Sequence, residues 1–304
     1  MKLYIIGAGA IGKALAVCLT KNGKKVELIR GSVDDGRTYT EKISLRLKTG
    51  EMLTADIRFN SLCNFSAFDG IIIFTTKSFG NKALAEKLKD KATHTPIVIL
   101  QNGLGIEQPF IEHNFKEIYR CVLFATSQNV LENEVSYKPV APSPIGIVKQ
   151  NLTFLNSIVD TLNTPDFRLE AEENIDKIIW KKVIANCVFN SICPLLEVDN
   201  GIFHRDATVF SVAKNIIREC VAISTEKGIA LTAKEIEEQV ISISKMSDGQ
   251  FISTLQDIRN HRKTEIDTLN LEVHRIAKEM NLESHVQQTK LLGDLVQLKS
   301  ELHL

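Results

Sequence analysis

Within the apolar stretch Trp180-Lys181-Lys182-Val183-Ile184-Ala185-Asn186-Cys187-Val188-Phe189-Asn190, one lysine and two asparagines recur four residues apart. On a helix, Lys182, Asn186 and Asn190 share one face over two turns. Their neighbours Val183, Ile184, Val188 and Phe189 are apolar. An ammonium and two amides on a largely buried helix incur a desolvation cost unless something polar meets them. A bound polar organic molecule would do so, and so would a hydrated stripe or a hydrogen-bond network between helices. Ser253 and Glu265, twelve residues apart, fall roughly on one side of a helix expected from about Ser253 to Met280. Ile258, Ile266 and Leu269 would turn part of it inward; otherwise its charges form a hydrated surface.

A second cluster opens the chain. Lys2 to Ile6 is a short apolar run, Gly7-Ala8-Gly9-Ala10-Ile11-Gly12 follows at once, Lys13 to Thr20 has helical apolar spacing, and Val26 to Ile29 is again extended. In a strand–turn–helix–strand unit, Gly7 allows the tight turn and Gly9 lets the backbone approach a pyrophosphate. Gly12 lets the helix pack on the sheet with its N-terminus toward the phosphates. This implies a nicotinamide dinucleotide. An acidic residue at the end of the second strand would accept from the ribose hydroxyls, whereas an arginine pairs with a 2′-phosphate. Arg30 therefore predicts NADP(H), although Asp34 and Asp35 can instead turn toward the ribose.

The elements that must position these groups follow from the chain pattern. Residues 31 to 42 are polar and read as a loop, and Ile43–Lys48 with Thr54–Phe59 as a hairpin around Thr49-Gly50-Glu51. Gly70–Thr75 and Pro96–Leu100 read as strands, with a helix at Asn81–Leu88 between them. This alternation predicts a mostly parallel sheet with its ligand beyond the carboxyl ends of the strands. Two such ends carry Thr75-Thr76-Lys77 and Gln101-Asn102-Gly103. Lys77 can place an ammonium near cofactor or substrate carboxylate, and Asn102 offers a donor and an acceptor near the nicotinamide; the plainer readings are a solvated lysine and a simple turn. Further extended segments are expected at Tyr119–Ala125, Asn129–Tyr137, Ile145–Val148 and Phe167–Leu169, with a helix at Leu152–Leu162.

Near residue 170 the period changes. Helices are expected at Ile175–Cys193, stopped by Pro194, then at Ala207–Lys227 ending at Gly228, at Ala233–Lys245, over the long Ser253–Met280 segment, and at His285–Leu298. The fold class is thus α/β, with a dinucleotide-binding domain over 1–170 and an all-α domain over 171–304, the expected substrate site lying in the cleft between domains.

Lysine plus arginine and aspartate plus glutamate both number 37. No net field recruits nucleic acid or an anionic membrane. Neither a signal peptide nor a membrane span is evident, which points to the cytoplasm. The six cysteines, at 18, 63, 121, 187, 193 and 220, form no CxxC pair and no metal-like grouping with histidine. Most sit among apolar neighbours and read as buried free thiols, and no metal is expected. Long amphipathic helices in the second domain permit a homodimer.

Together these segments resemble the ketopantoate reductase (2-dehydropantoate 2-reductase) family over nearly the whole chain. The resemblance is carried by GAGAIG at 7–12, TTK at 75–77, QNG at 101–103, WKKVIANCVFN at 180–190, NG at 200–201 and STLQDIRNHRKTEID at 253–267. It implies a Rossmann-type domain followed by a helical one, and reduction of 2-dehydropantoate to (R)-pantoate with NADPH, on the route to pantothenate and coenzyme A. By that likeness Lys182 is the catalytic lysine and Glu265 the active-site carboxylate. Asn186, Asn190, Asn200 and Ser253 contact substrate, Lys77 and Asn102 are further site positions, and Arg30 reads the phosphate. The family commonly has Asn-Gly where this chain has Asn270-Leu271, and Pro-x-Asn where it has Ser284-His285-Val286. Two other readings use the same residues: a reductase of another branched or hydroxylated 2-keto acid, and a non-catalytic NADP-sensing module.

Overall fold

The computed structural model describes residues 1–149 and 154–303. The chain divides into two compact units, Met1–Gln101 with Glu107–Ile175, and Asn102–Ile106 with Asp176–Leu304.

The first unit is built on strands β1 (Lys2–Ile6), β2 (Lys25–Ile29), β3 (Tyr39–Leu47), β4 (Met52–Asn60), β5 (Gly70–Phe74), β6 (Ile97–Ile99), β7 (Ile118–Cys121), β8 (Ala125–Leu131), β9 (Glu134–Pro139), β10 (Ser143–Lys149) and β11 (Leu169–Ala171). They form one sheet in the order β11-β10-β7-β6-β5-β1-β2-β4-β3-β9-β8. At its centre β1 runs parallel to β2 and β5, with Ile6 beside both Ile29 and Phe74. Ile71, Ile72, Ile73 and Phe74 of β5 are fully buried. An unbroken apolar run of this kind belongs to a strand covered on both faces. Helices α1 (Ala10–Lys21), α2 (Asn81–Ala92), α3 (Gln108–Glu112) and α4 (Leu155–Leu162) complete the unit. The expected start of α4 at Leu152 lies outside the described residues.

Two local expectations are corrected. The polar segment after Arg30 is shorter than its composition suggests, because Tyr39 to Lys42 already pair with Phe59 to Asp56 across the β3–β4 ladder. The run Tyr119–Ala125 is divided: β7 stops at Cys121 and β8 begins at Ala125.

The second unit contains α5 (Ile175–Leu196), α6 (Ile202–Arg205), α7 (Ala207–Glu226), α8 (Ala233–Met246), α9 (Ser253–Arg259), α10 (Asn270–Glu279) and α11 (Gln287–Glu301). Pro194 does not interrupt α5. It sits in the last turn, where its missing N–H costs one intrahelical bond, and the helix closes beyond it on Glu197, at φ 57°, with Val198 N–H donating to Cys193 O at 3.1 Å. The continuous Ser253–Met280 helix is also corrected. His261 adopts φ 51°, its N–H donates to Ile258 O, and that of Arg262 donates to Asp257 O. These two bonds are a Schellman closure. The chain resumes in a 3₁₀ turn at Ile266–Thr268 before α10. One helix among the described residues, α5, is long and apolar enough by composition to cross a membrane, which the sequence reading did not anticipate; most of that span is buried within the folded chain.

The two departures from the family pattern have structural counterparts. Leu271 packs over Gly293 of α11, where an added Cβ would lie 2.8 Å from Leu271 Cδ2. At the start of α11 no local side chain caps the helix. Glu219 of α7 accepts instead from the backbone N–H groups of Gln288 and Thr289 and from the Thr289 hydroxyl.

Candidate active site

The turn from β1 into α1 shows why three glycines stand there. Gly7 has φ 126°, and a Cβ on it would lie 2.7 Å from both Thr75 Oγ1 and Thr76 N. A Cβ on Gly12 would lie 1.8 Å from Gly7 O, whereas one on Gly9 would meet nothing within 4 Å. Gly7 and Gly12 are thus demanded by the protein's own packing. Gly9 faces open space, as a backbone approached by a ligand must. The α1 N-terminus carries no side-chain cap, so the N–H groups beside Ala8, Ala10 and Ile11 offer donors and a partial positive charge to an anion. These features fit a dinucleotide pyrophosphate.

Arg30, at the end of β2, is held on several sides. Its Nη2 donates to Asp35 Oδ1 at 2.5 Å, to Ser61 Oγ at 2.6 Å and to Arg37 O at 2.8 Å, and Nη1 reaches Asp35 Oδ2 at 3.3 Å. The guanidinium carbon lies 5.4 Å from the Tyr39 ring centroid. Hydrogen bonding from Arg30, then from the Arg37 N–H, draws the Asp35 carboxyl down to about 2. Asp35, which the sequence allows as a competing ribose contact, is here the partner of Arg30. Ser61 and Tyr39 carried no sequence signal, since they converge on Arg30 only through the pairing of β2, β3 and β4.

Beside this cluster, the Thr76 methyl fills the space a Gly31 side chain would take, 2.4 Å from an added Cβ. Gln101 donates to Thr76 Oγ1 at 3.0 Å and exchanges amide hydrogen bonds with Asn81 at 2.8 and 2.7 Å. This amide pair ties the carboxyl ends of β5 and β6 to the start of α2. Lys77 is exposed, and its backbone precedes the 3₁₀ turn Ser78–Gly80. Asn102, expected among the cofactor-domain loops, belongs to the short segment that groups with the helical unit. Asn102 is exposed, Gly103 at φ 109° lies against Thr268, and Leu104 N–H donates to Thr268 O at 2.9 Å.

In the helical unit the α5 stripe holds as read from spacing. Lys182 and Asn186 are half-buried and Asn190 is buried. Thr254 of α9 donates to Asn190 Oδ1 at 2.7 Å, and Asn190 Nδ2 donates to Asn186 O at 3.1 Å. The deepest member of the stripe is therefore spent on an interhelical bond. Asn200 is anchored by its backbone, donating to Gln250 O and accepting from Ser244 Oγ. Its side-chain Oδ1 is buried with no hydrogen-bond partner, and so is that of Asn270. Ser253 is the exposed first residue of α9, and half-buried Glu265 follows the break after it. The two are not on one helix face, because the closure at His261 intervenes. Among the described residues no group of histidine, cysteine and acidic side chains is placed to hold a metal.

Comparison with known proteins agrees with this architecture. The family model described as ketopantoate reductase PanE/ApbA matches residues 3–142, and that of the PanE/ApbA C-terminal domain matches residues 174–299. A 2-dehydropantoate 2-reductase of Pyrococcus horikoshii is 31% identical, the match covering 99% of this chain and 98% of that protein. A PanE/ApbA family ketopantoate reductase from Ralstonia eutropha superposes with a TM-score of 0.85 at 20% identity, covering 100% and 99% of the two chains. D-mandelate dehydrogenase bound to NADH and anilino(oxo)acetate does so with a TM-score of 0.83 at 21% identity, covering 100% and 99%. Two family models that between them span most of the chain, and a relative matched end to end, place this protein in the ketopantoate reductase family, among the nicotinamide-dinucleotide-dependent oxidoreductases acting on a CH–OH group.

Proposed function

We propose that this protein reduces 2-dehydropantoate to (R)-pantoate with NADPH, in the route to pantothenate and coenzyme A, in the cytoplasm, where six free thiols suit a reducing compartment. The observation that carries the reading is the α5 stripe, an ammonium and an amide half-buried on a helix whose neighbouring residues Val183, Ile184, Cys187 and Val188 are buried and apolar.

When bound, the reduced nicotinamide supplies a hydride to the C2 ketone. Negative charge then develops on the carbonyl oxygen, where the Lys182 ammonium stabilises it and donates the proton. Glu265 orients a substrate hydroxyl or the lysine itself. Asn186, Asn200 and Ser253 divide the substrate carboxylate and distal hydroxyl among their donors and acceptors, and Asn200 Oδ1 is a buried acceptor awaiting a donor. Asn190, engaged by Thr254, enters as the residue that fixes the stripe rather than as a substrate contact. In the first unit Gly7 through Gly12 hold the pyrophosphate and Arg30 the 2′-phosphate, with Lys77 and Asn102 at the nicotinamide side.

Leu271 packs over Gly293, and Glu219 rather than the Ser284–Val286 segment caps α11, so both departures from the family pattern are taken up by packing and capping within the helical unit. A site that hydrogen-bonds a substrate hydroxyl rejects the analogue lacking it. The test is a panel of 2-keto acids, with and without the distal hydroxyl, assayed with NADPH and with NADH. 2-Dehydropantoate with NADPH should give the highest kcat/KM; a better unhydroxylated substrate would overturn the assignment, and cofactor binding without turnover of any keto acid would favour the sensing module. For assembly, exposed Leu291, Leu295 and Leu298 of α11, with Leu302 just beyond it, support a homodimer through the helical domain, to be checked by light scattering.

A further inference from the structure

Four donors converge on one carboxylate at the end of β2. Asp35 accepts from both Nη atoms of Arg30, from the Ser61 hydroxyl at 3.0 Å and from the Arg37 backbone N–H at 3.0 Å, while Arg37 Nε stands 3.6 Å from its second oxygen. Ser61 is fully buried, and the Arg30 side chain is 14% exposed against 33% for Asp35. A guanidinium fork, a hydroxyl and a backbone amide on fixed elements are the donor set that binds a phosphate. The carboxylate in their midst comes from the loop between β2 and β3, the part of the cluster most open to water. Arg30 Nε, also buried, has no hydrogen-bond partner, so the donor set exceeds what Asp35 satisfies.

We propose that Asp35 is an internal stand-in for the 2′-phosphate and thereby the residue that sets this chain's discrimination between NADPH and NADH. The inference rests on the reading of Arg30 as the phosphate contact. A 2′-phosphate that takes the Nη donors competes directly with the carboxylate that now holds them, and two anions side by side repel, so Asp35 turns away from Arg30. With a free 2′-hydroxyl it stays and accepts from the ribose, as an acidic residue at the end of the second strand does. The cluster thus has two arrangements. The exchange of Asp35 for phosphate lowers the affinity for the phosphorylated cofactor by the cost of breaking the internal pair. Arg37, 81% exposed in its side chain, is free to follow either anion.

The test uses 2′,5′-ADP and 5′-ADP as probes, titrated calorimetrically into the wild-type protein and into D35N and R30A. Both probes share the adenosine and 5′-phosphate, so general loosening of the loop changes both affinities, whereas the proposed role changes their ratio. D35N should bind 2′,5′-ADP about tenfold more tightly, a difference of ~1.4 kcal/mol, with 5′-ADP unchanged or weaker. An unchanged ratio in D35N would overturn the proposal. R30A separates the two levels: if it weakens 2′,5′-ADP while D35N leaves the ratio alone, only the role of Asp35 fails, and if it binds 2′,5′-ADP as the wild type does, the phosphate reading of Arg30 fails. Should D35N not fold, D35S supplies the same comparison.

Discussion

At the end of β2, Arg30 is met by Asp35, Ser61 and the Arg37 carbonyl, whereas in the helical unit the side-chain oxygens of Asn200 and Asn270 are buried and lack any partner. The first region pairs both Nη atoms of Arg30 with an internal carboxylate and leaves only Nε over, so an anion that takes the Nη donors must displace Asp35. The second leaves acceptors unmet, each at a cost of about 1–3 kcal/mol; Asn270 is fully enclosed, whereas Asn200 is slightly exposed, so Asn200 is the acceptor a ligand hydroxyl would satisfy. Selectivity is therefore expected from the first unit and chemistry from the second.

The largest effect should come from removing the ammonium. Lys182→Ala should slow hydride transfer by about 10²–10⁴, the span of general acid catalysis, while leaving the dissociation constant of NADPH as it was. Stopped-flow at saturating cofactor measures the chemical step directly. An unchanged step would place the proton donor elsewhere and break the division between the units.

Next is the glycine turn, where the constraint is steric. Gly12→Ala would set a methyl 1.8 Å from Gly7 O, so either the turn opens or α1 retreats from the sheet. Overpacking of this kind costs ~1–3 kcal/mol. Binding of 5′-ADP should be lost in calorimetry, and the melting temperature should fall. Retained binding would show that the pyrophosphate does not lie on this turn.

How much of this was legible beforehand depended on whether the signal was local. The strand–turn–helix unit and the α5 stripe are periodic within about twenty residues, and both hold. Helix ends were read where glycine marked them: Gly228 closes α7 at φ 78°. They were missed where other residues did the same work, as with Glu197 and His261 at φ 57° and 51°. A left-handed glutamate or histidine is disfavoured locally, and the surrounding packing overrides that preference. Ser61, Tyr39 and Asp35 converge on Arg30 from three chain segments, a product of sheet order that no window along the sequence contains. Asn190 is legible from spacing as a polar residue on a buried face. Its partner Thr254 lies 64 residues away.

Between α10 and α11 a smaller effect is expected. Gly293→Ala would push a methyl to 2.8 Å from Leu271 Cδ2 and 2.9 Å from Asn270 Cβ, costing ~1–3 kcal/mol in denaturant unfolding. Trimming the opposing side chain should return part of that loss, so the G293A/L271A double variant should be more stable than the two single changes added together, by ~0.5–3 kcal/mol of coupling. Strict additivity would mean that Leu271 and Gly293 do not compensate for each other. Substrate turnover should follow stability alone in these variants, in contrast to Lys182→Ala.

The smallest effect is a slope in acid. Asp35 is held down at about 2, from an ordinary value of 3.8, first by Arg30 and then by the Arg37 N–H. A carboxyl depressed in the folded state adds stability that is complete above its unfolded pKa and is lost as the pH falls through the folded one. The window for this group is thus about pH 4 down to 2, where Arg30 and Arg37 remain charged. Asp34, Asp69 and Asp199 are also lowered, so the wild type loses stability in acid for several reasons at once. D35N removes only its own share. Between pH 4 and 2 its melting temperature should fall less steeply than that of the wild type, while above pH 5 the difference between the two should be constant. Parallel curves through the acid window would mean that the Arg30–Asp35 pair is already open in solution, and the first unit would then meet its cofactor with a free guanidinium.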